Sequence, residues 1–146
     1  MKQTIRIADK DDRGILIGLP RLLDILEPEG SQLSWAMFDL WITGLSEGES
    51  VFDLEQKSRK VPKGICVSWR ELQKFAETVT QVIEGVFVGC GYSDAIPDRA
   101  DSDAVRECNV VIRAIDSSFW EITVDQDRLM RRLQDAFPTA TSITGM

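Results

Sequence analysis

The chain has 146 residues, the usual length of one domain and enough to bury a hydrophobic core without disulfide or metal staples. Its hydrophobic fraction of 43% and charged fraction of 28% are ordinary for a globular protein, which disfavours disorder of the whole chain. Lys and Arg number 17 against 24 Asp and Glu, and the resulting net charge of −7 argues against nucleic acid and anionic membranes as partners.

The pattern of apolar and polar residues predicts a succession of strands and helices. In chain order these are a strand at 3–8, a helix at 15–27, a strand at 34–43, a loop at 44–50, a helix capped by Ser68 and running to Ile83, a strand at 86–88, a loop at 92–107, strands at 109–115 and 119–124, and a helix capped by Asp125 that ends before Pro138. Residues 51–63 give no clear signal, and the tail at 138–146 is expected to fray.

The last two strands are separated only by Asp116–Ser118, whose side chains favour a tight turn, so they are predicted to form an antiparallel hairpin. Neighbouring strands of this kind favour an α+β fold over strict alternation of strand and helix. We therefore predict a single domain over residues 1–146, with a mostly antiparallel sheet and two or three helices packed on one face.

Four tryptophans are many for a chain of this length. Trp35 and Trp41 are six residues apart, so in a regular strand both point to the same face. Trp120 alternates with apolar neighbours, whereas Trp69 stands at a helix start. The pattern predicts Trp35, Trp41 and Trp120 in the core and Trp69 partly exposed.

The chain lacks the residues that several kinds of catalytic and metal-binding site require. It has no histidine, which removes Ser-His-Asp and Cys-His nucleophilic sites and His-containing zinc sites. Neither glycine-rich phosphate-binding motif is present. The three cysteines, Cys66, Cys90 and Cys108, have no CxxC spacing and are interpreted as reduced thiols. We predict no catalytic residue, no metal ligand and no cofactor.

Location is predicted from the same sequence. No apolar run approaches the roughly 20 residues of a membrane helix. The first ten residues alternate and carry charge, unlike the apolar core of a secretion signal. The expected location is the cytoplasm.

Residues 92–107, here called the acidic segment, are the most polar stretch, and five acids against two arginines give it a net charge of −3. It could be a solvated loop, a protein-binding surface or a cation site. Asp101-Ser102-Asp103 begins like a calcium-binding loop, but the central glycine and closing glutamate are missing. The candidate partner-binding residues are Tyr92, Asp94, Asp98, Asp101, Asp103 and Glu107.

The C-terminal third carries a resemblance to a known group of proteins. Residues Val111–Thr123, followed by Asp127 and by Leu129–Phe137, look like the ending of small bacterial immunity-type proteins, in which a hairpin is followed by a helix. The resemblance covers about residues 109–137. Such proteins neutralise toxins by direct binding, so it implies a toxin inhibitor, although it assigns no functional residue.

These observations favour a non-catalytic protein-binding domain, most concretely an immunity protein. An acidic surface would speed association with a basic toxin and could occupy a cleft made for phosphate. Two alternatives stay open: a carboxylate-based or metal-dependent enzyme, and an oligomerising structural subunit whose strand at 34–43 forms the interface. The sequence leaves the oligomeric state undetermined.

Overall fold

An antiparallel sheet is the centre of the fold in the computed structural model, which describes residues 2–48 and 50–143. Within them the strands are β1 (Gln3–Ala8), β2 (Ser34–Ile42), β3 (Ile65–Val67), β4 (Val82–Cys90), β5 (Val110–Ile115), β6 (Phe119–Val124) and β7 (Thr141–Ile143). The helices are α1 (Leu19–Ile25), α2 (Val51–Lys60), α3 (Trp69–Thr78) and α4 (Asp127–Ala136). The strand order is β3-β2-β4-β5-β6-β1-β7.

Three of the helices, α1, α3 and α4, pack on one face of this sheet. Their buried leucines meet Phe87, Ile112 and Ile122 from the central strands in the larger of two hydrophobic clusters. Burying such side chains is the main favourable term in folding, at roughly 1.5–3 kcal/mol each. The predicted α+β fold, with a mostly antiparallel sheet and helices on one face, is confirmed.

Some predicted element boundaries were wrong. Helix α3 begins with the predicted capping box at Ser68 but ends at Thr78, not at Ile83. Val82 and Ile83 belong to β4 instead. Their spacing fits the helical period, but both are β-branched residues, which also favour a strand. Residues 51–63, which gave no clear signal, begin with α2, and the short strand β3 follows them.

The prediction for Trp41 was also wrong. Asp39 has a φ of 53°, and the register of β2 against β4 shifts between Phe38 and Trp41. This bulge inserts an extra residue and sends the following side chains to the opposite faces. Trp35 is therefore fully buried while Trp41 is 50% exposed. Trp120 is buried and Trp69 partly exposed, as predicted.

Helix α2 supplies polar groups to the part of β2 that β3 does not pair. The Leu40 amide donates to Ser58 Oγ at 2.9 Å, and the Ile42 amide donates to the Glu55 carboxylate at 2.9 Å. Arg59 in turn donates to the Leu40 carbonyl oxygen at 2.9 Å. These side chains satisfy backbone groups that a neighbouring strand would otherwise satisfy.

Ser58→Ala is expected to lower the free energy of unfolding by about 1–3 kcal/mol, because it leaves the buried Leu40 amide without an acceptor. Urea unfolding followed by circular dichroism measures this loss. Ser46→Ala, at an exposed position, is the control and should change stability by less than about 0.5 kcal/mol. Equal stability of the two variants would contradict the assigned role of Ser58.

The C-terminal region differs from its prediction in two places. Thr141–Ile143 forms β7 on the edge of the sheet beside β1, where fraying was expected, and residues 144–146 lie outside the described residues. Asp125 does not cap α4: the N-cap is Gln126, without a side-chain bond. Asp125 instead accepts a hydrogen bond from Asn109 at 2.8 Å.

Glu29 joins the 3-10 turn at Glu29–Gln32 to α4. Its side chain is only 12% exposed, and its carboxylate pairs with Arg128 at 2.8 Å and with Arg132. Burial raises the pKa of Glu29, but the hydrogen bond from Arg132 and the two guanidinium charges outweigh burial, so the pKa lies below its ordinary value near 4.5.

A depressed folded-state pKa stabilises the fold above the unfolded value, and this contribution is lost as the pH falls through the folded pKa. Glu29→Gln should therefore lower the free energy of unfolding by about 1–2 kcal/mol at neutral pH, with a smaller deficit near pH 3. Urea unfolding at both pH values tests this. The exposed Glu77→Gln is the control, and a deficit for Glu29→Gln that does not change with pH would contradict the assignment.

Candidate functional site

The acidic segment covers part of the second face of the sheet. Ile96, Ala100 and Val105 are buried there, against Phe38 and Val88 among other residues of the smaller hydrophobic cluster. The three apolar residues are spaced by four and five positions, which suits neither a regular strand nor a single helix. The segment is thus anchored by its own small core and is not a freely solvated loop.

The candidate partner-binding residues all lie on the outer side of this segment. Each of the six is exposed, and Tyr92 is the most exposed of the large hydrophobic side chains on the described surface, at 68%. Asp94 lies in the 3-10 turn Ser93–Ala95, and Asp103 and Glu107 lie in the turn Asp103–Glu107. All six side chains are therefore open to solvent, on a segment whose inner side packs on the sheet.

The carboxylates of the acidic segment take part in little ion pairing. Arg99 and Asp101 form an ion pair at 3.6 Å, but their side chains are 81% and 78% exposed. Exposed pairs of this kind contribute about 0–1 kcal/mol and are screened by salt. These exposed carboxylates therefore remain accessible to a positively charged partner.

Contacts within the acidic segment and just after its C-terminal end hold it in place. Lys63 donates from its backbone amide to the Asp98 carbonyl at 3.0 Å and from Nζ to the Ile96 carbonyl at 2.8 Å. Lys2 Nζ donates to the carbonyl oxygen of Cys108. Ser102 caps the second turn by accepting from the Ala104 amide at 3.1 Å. A surface fixed in this way loses less conformational entropy on binding than a mobile loop does.

A polar groove of about 450 Å³ opens where the acidic segment joins the sheet. Gly91 and Asn109 line it together with Asp125, Glu29 and Arg128. The carboxylate of Glu29 is already paired with arginines. Asp125 Oδ2 is bonded to Asn109, but within the described residues Oδ1 is buried with no hydrogen-bond partner.

Two thiols flank the acidic segment. Cys90 ends β4 and Cys108 precedes β5; both are buried, and Cys90 Sγ donates to Cys108 Sγ across 2.9 Å. This hydrogen bond lowers the pKa of Cys108, which accepts it. The same bond and burial raise the pKa of Cys90, which donates it. Sequence reasoning missed the pair because nothing in a spacing of 18 residues indicates contact.

The uncovered part of the same sheet face is a second candidate surface. Trp41 and Phe119 are 50% and 39% exposed, and Phe119 lies under the Arg6 guanidinium at 4.9 Å from the ring centroid. Arg6 also pairs with Glu121, which lies opposite it on β6. This surface has mixed charge, in contrast to the acidic segment.

Across 2–48 and 50–143, no three His, Cys, Asp or Glu side chains converge as ligands for a metal ion. A second cavity, of about 50 Å³, lies between α1, α3 and the β5–β6 turn, with Asp9 among its mostly apolar lining residues. Such a volume accommodates a few water molecules.

None of the helices in the described part is both long and apolar enough to cross a lipid bilayer. Comparison of the chain with protein-family models, with curated proteins and with solved structures yields no match.

Proposed function

We propose that this protein is a non-catalytic protein-binding domain that acts in the cytoplasm and binds a basic protein through the outer side of the acidic segment. In its most concrete form, it is an immunity protein that neutralises a bacterial toxin by direct binding. One observation carries the proposal: six exposed polar residues, five of them acidic, lie on a segment whose inner side is packed on the sheet.

The anchoring favours recognition because the surface exists before the partner arrives. Acidic surfaces accelerate encounter with basic partners and set register, and an aromatic side chain at the centre of a contact often contributes much of the affinity. Tyr92 provides such a ring.

The proposal is tested with three tagged baits in lysate of the source organism. The first is the wild-type protein. The second, the acidic-segment variant, combines Asp94→Asn, Asp98→Asn, Asp101→Asn and Asp103→Asn. The third, the matched control, combines substitutions at exposed acids on the helical side of the molecule: Asp12→Asn, Asp24→Asn, Glu77→Gln and Asp135→Asn. Both variants change the net charge from −7 to −3.

A basic protein retained by the wild type and the matched control, released by high salt and lost from the acidic-segment variant, is the expected result. Mass spectrometry identifies it. Its toxicity when produced without this protein, and relief of that toxicity by co-production, then tests the immunity function. Equal retention by all three baits would place the contact elsewhere and contradict the proposal.

A second candidate function is self-association through the uncovered part of the sheet face. The exposed aromatic rings of Trp41 and Phe119 favour it. The edges of β2 are already occupied by β3, β4 and α2, so the strand at 34–42 could contribute its face but not an edge. Light scattering at micromolar concentration tests this: a mass above 16.4 kDa that falls to the monomer in Trp41→Ala supports it.

A further inference from the structure

We infer that Cys90 and Cys108 are a redox-sensitive pair that forms an intramolecular disulfide and thereby closes the acidic segment into a covalent loop. Only the consequence for partner binding rests on the proposed function; formation of the bond does not. The sulfur atoms are 2.9 Å apart although the two residues are 18 positions apart in sequence. Both are free thiols in the structure.

Cys90 and Cys108 lie at the two ends of the acidic segment, so a disulfide between them would constrain the whole segment. Cys90 lies in β4 at the point where the chain leaves the sheet, and Cys108 lies where the chain returns to it beside β5. All six candidate partner-binding residues lie between them. A disulfide here joins the two ends of the acidic segment, restricting the unfolded chain and opposing local opening of the segment.

Chemistry within the pair favours Cys108 as the attacking thiol. Its thiolate is stabilised by the hydrogen bond from Cys90 and by the nearby Lys2 charge, and the thiolate is the reactive form of cysteine. Burial of both sulfurs calls for a small oxidant such as hydrogen peroxide. Cys66 is exposed and is far less protected from larger reagents.

The reaction balances with one peroxide molecule. The Cys108 thiolate attacks one oxygen, the O–O bond breaks, and a sulfenic acid forms as hydroxide leaves; sulfur is oxidised by two electrons and peroxide is reduced. Cys90 sulfur then attacks Cys108 sulfur, the S–O bond breaks, and the departing hydroxide leaves as water with the Cys90 proton. The hydroxide from the first step takes up the proton that the Cys108 thiol lost, so two thiols and one peroxide give one disulfide and two waters.

The test uses Cys66→Ser, which removes the exposed thiol and with it intermolecular crosslinks. After peroxide treatment, quenching, and maleimide labelling in denaturant, intact mass should show no labelled thiols, where the untreated protein shows two. Peptide mapping should find Cys90 joined to Cys108. The melting temperature should rise by about 5–10 °C and return with reductant. Cys66→Ser/Cys90→Ala should show no such rise.

A second experiment does not depend on whether peroxide can reach the buried thiols. Reduced, unfolded Cys66→Ser is refolded in a redox buffer of oxidised and reduced dithiothreitol, and the same masses and melting temperatures are measured. Two labelled thiols after both treatments, or a crosslinked protein that melts below the reduced one, would overturn the inference. With the partner from the three-bait experiment, the oxidised form should dissociate several-fold more slowly than the reduced form.

Discussion

The acidic-segment variant is expected to associate with its basic partner about tenfold or more slowly than the wild type at low salt. The four substituted carboxylates are exposed, and the ion pair of Asp101 with Arg99 is exposed too, so their main effect is on the field that guides the encounter. Stopped-flow mixing across a range of salt concentrations measures the association rate. The variant should also have a shallower salt dependence, because fewer charges remain to be screened.

The matched control distinguishes the effect of charge in the acidic segment on the association rate from the effect of net charge. It has the same net charge as the acidic-segment variant, yet its substituted residues lie in the β1–α1 loop and on α1, α3 and α4. It should keep most of the wild-type rate and salt dependence. Equal slowing in both variants would show that net charge alone matters, and an unchanged rate in the acidic-segment variant would remove this segment from the contact. Neither variant should lose more than about 0.5 kcal/mol of unfolding free energy.

Trp35→Ala is expected to lower the free energy of unfolding by about 3–5 kcal/mol, and Trp41→Ala by about 1 kcal/mol. Trp35 is fully buried, donates from Nε1 to the Gly30 carbonyl at 2.8 Å, and packs against Trp69 with ring centroids 5.6 Å apart. Trp41 is half exposed beyond the bulge at Asp39.

Urea unfolding followed by far-ultraviolet circular dichroism compares the two variants without relying on tryptophan emission. The pair is well matched, since both residues are the same type in the same strand. Similar large losses would mean that Trp41 is in the core, as regular alternation predicts, and would contradict the bulge. Trp35→Phe should recover part of the loss, because it restores the ring but not the hydrogen bond.

Local signals in the sequence were sufficient for the hairpin and for the start of α3. Asp116 and Ser117 take positive φ values of 49° and 55° in a turn that polar side chains tolerate. The capping box at Ser68 and Glu71 satisfies amide groups within one turn of the chain. Each depends on residues close in sequence, and so each could be predicted.

Features that depend on distant residues could not be predicted in the same way. The bulge in β2 leaves no local mark in the alternating residues around Asp39, and α2 contributes Leu54 as its one buried apolar side chain. The acidic surface was predicted from composition, whereas its packing on the sheet through Ile96 and Val105 was not. The contact of Cys90 with Cys108 follows from the same packing.

Hydroxyl-radical footprinting of the protein alone and with its captured partner is the most direct measurement of which surface binds. Tyr92 reports on the acidic segment, while Trp41 and Phe119 report on the uncovered sheet face, and all three rings are open to the reagent in the free protein. Binding through the acidic segment predicts that Tyr92 loses its reactivity in the complex while Trp41 and Phe119 keep theirs. Protection of Trp41 and Phe119 with Tyr92 unchanged would contradict it.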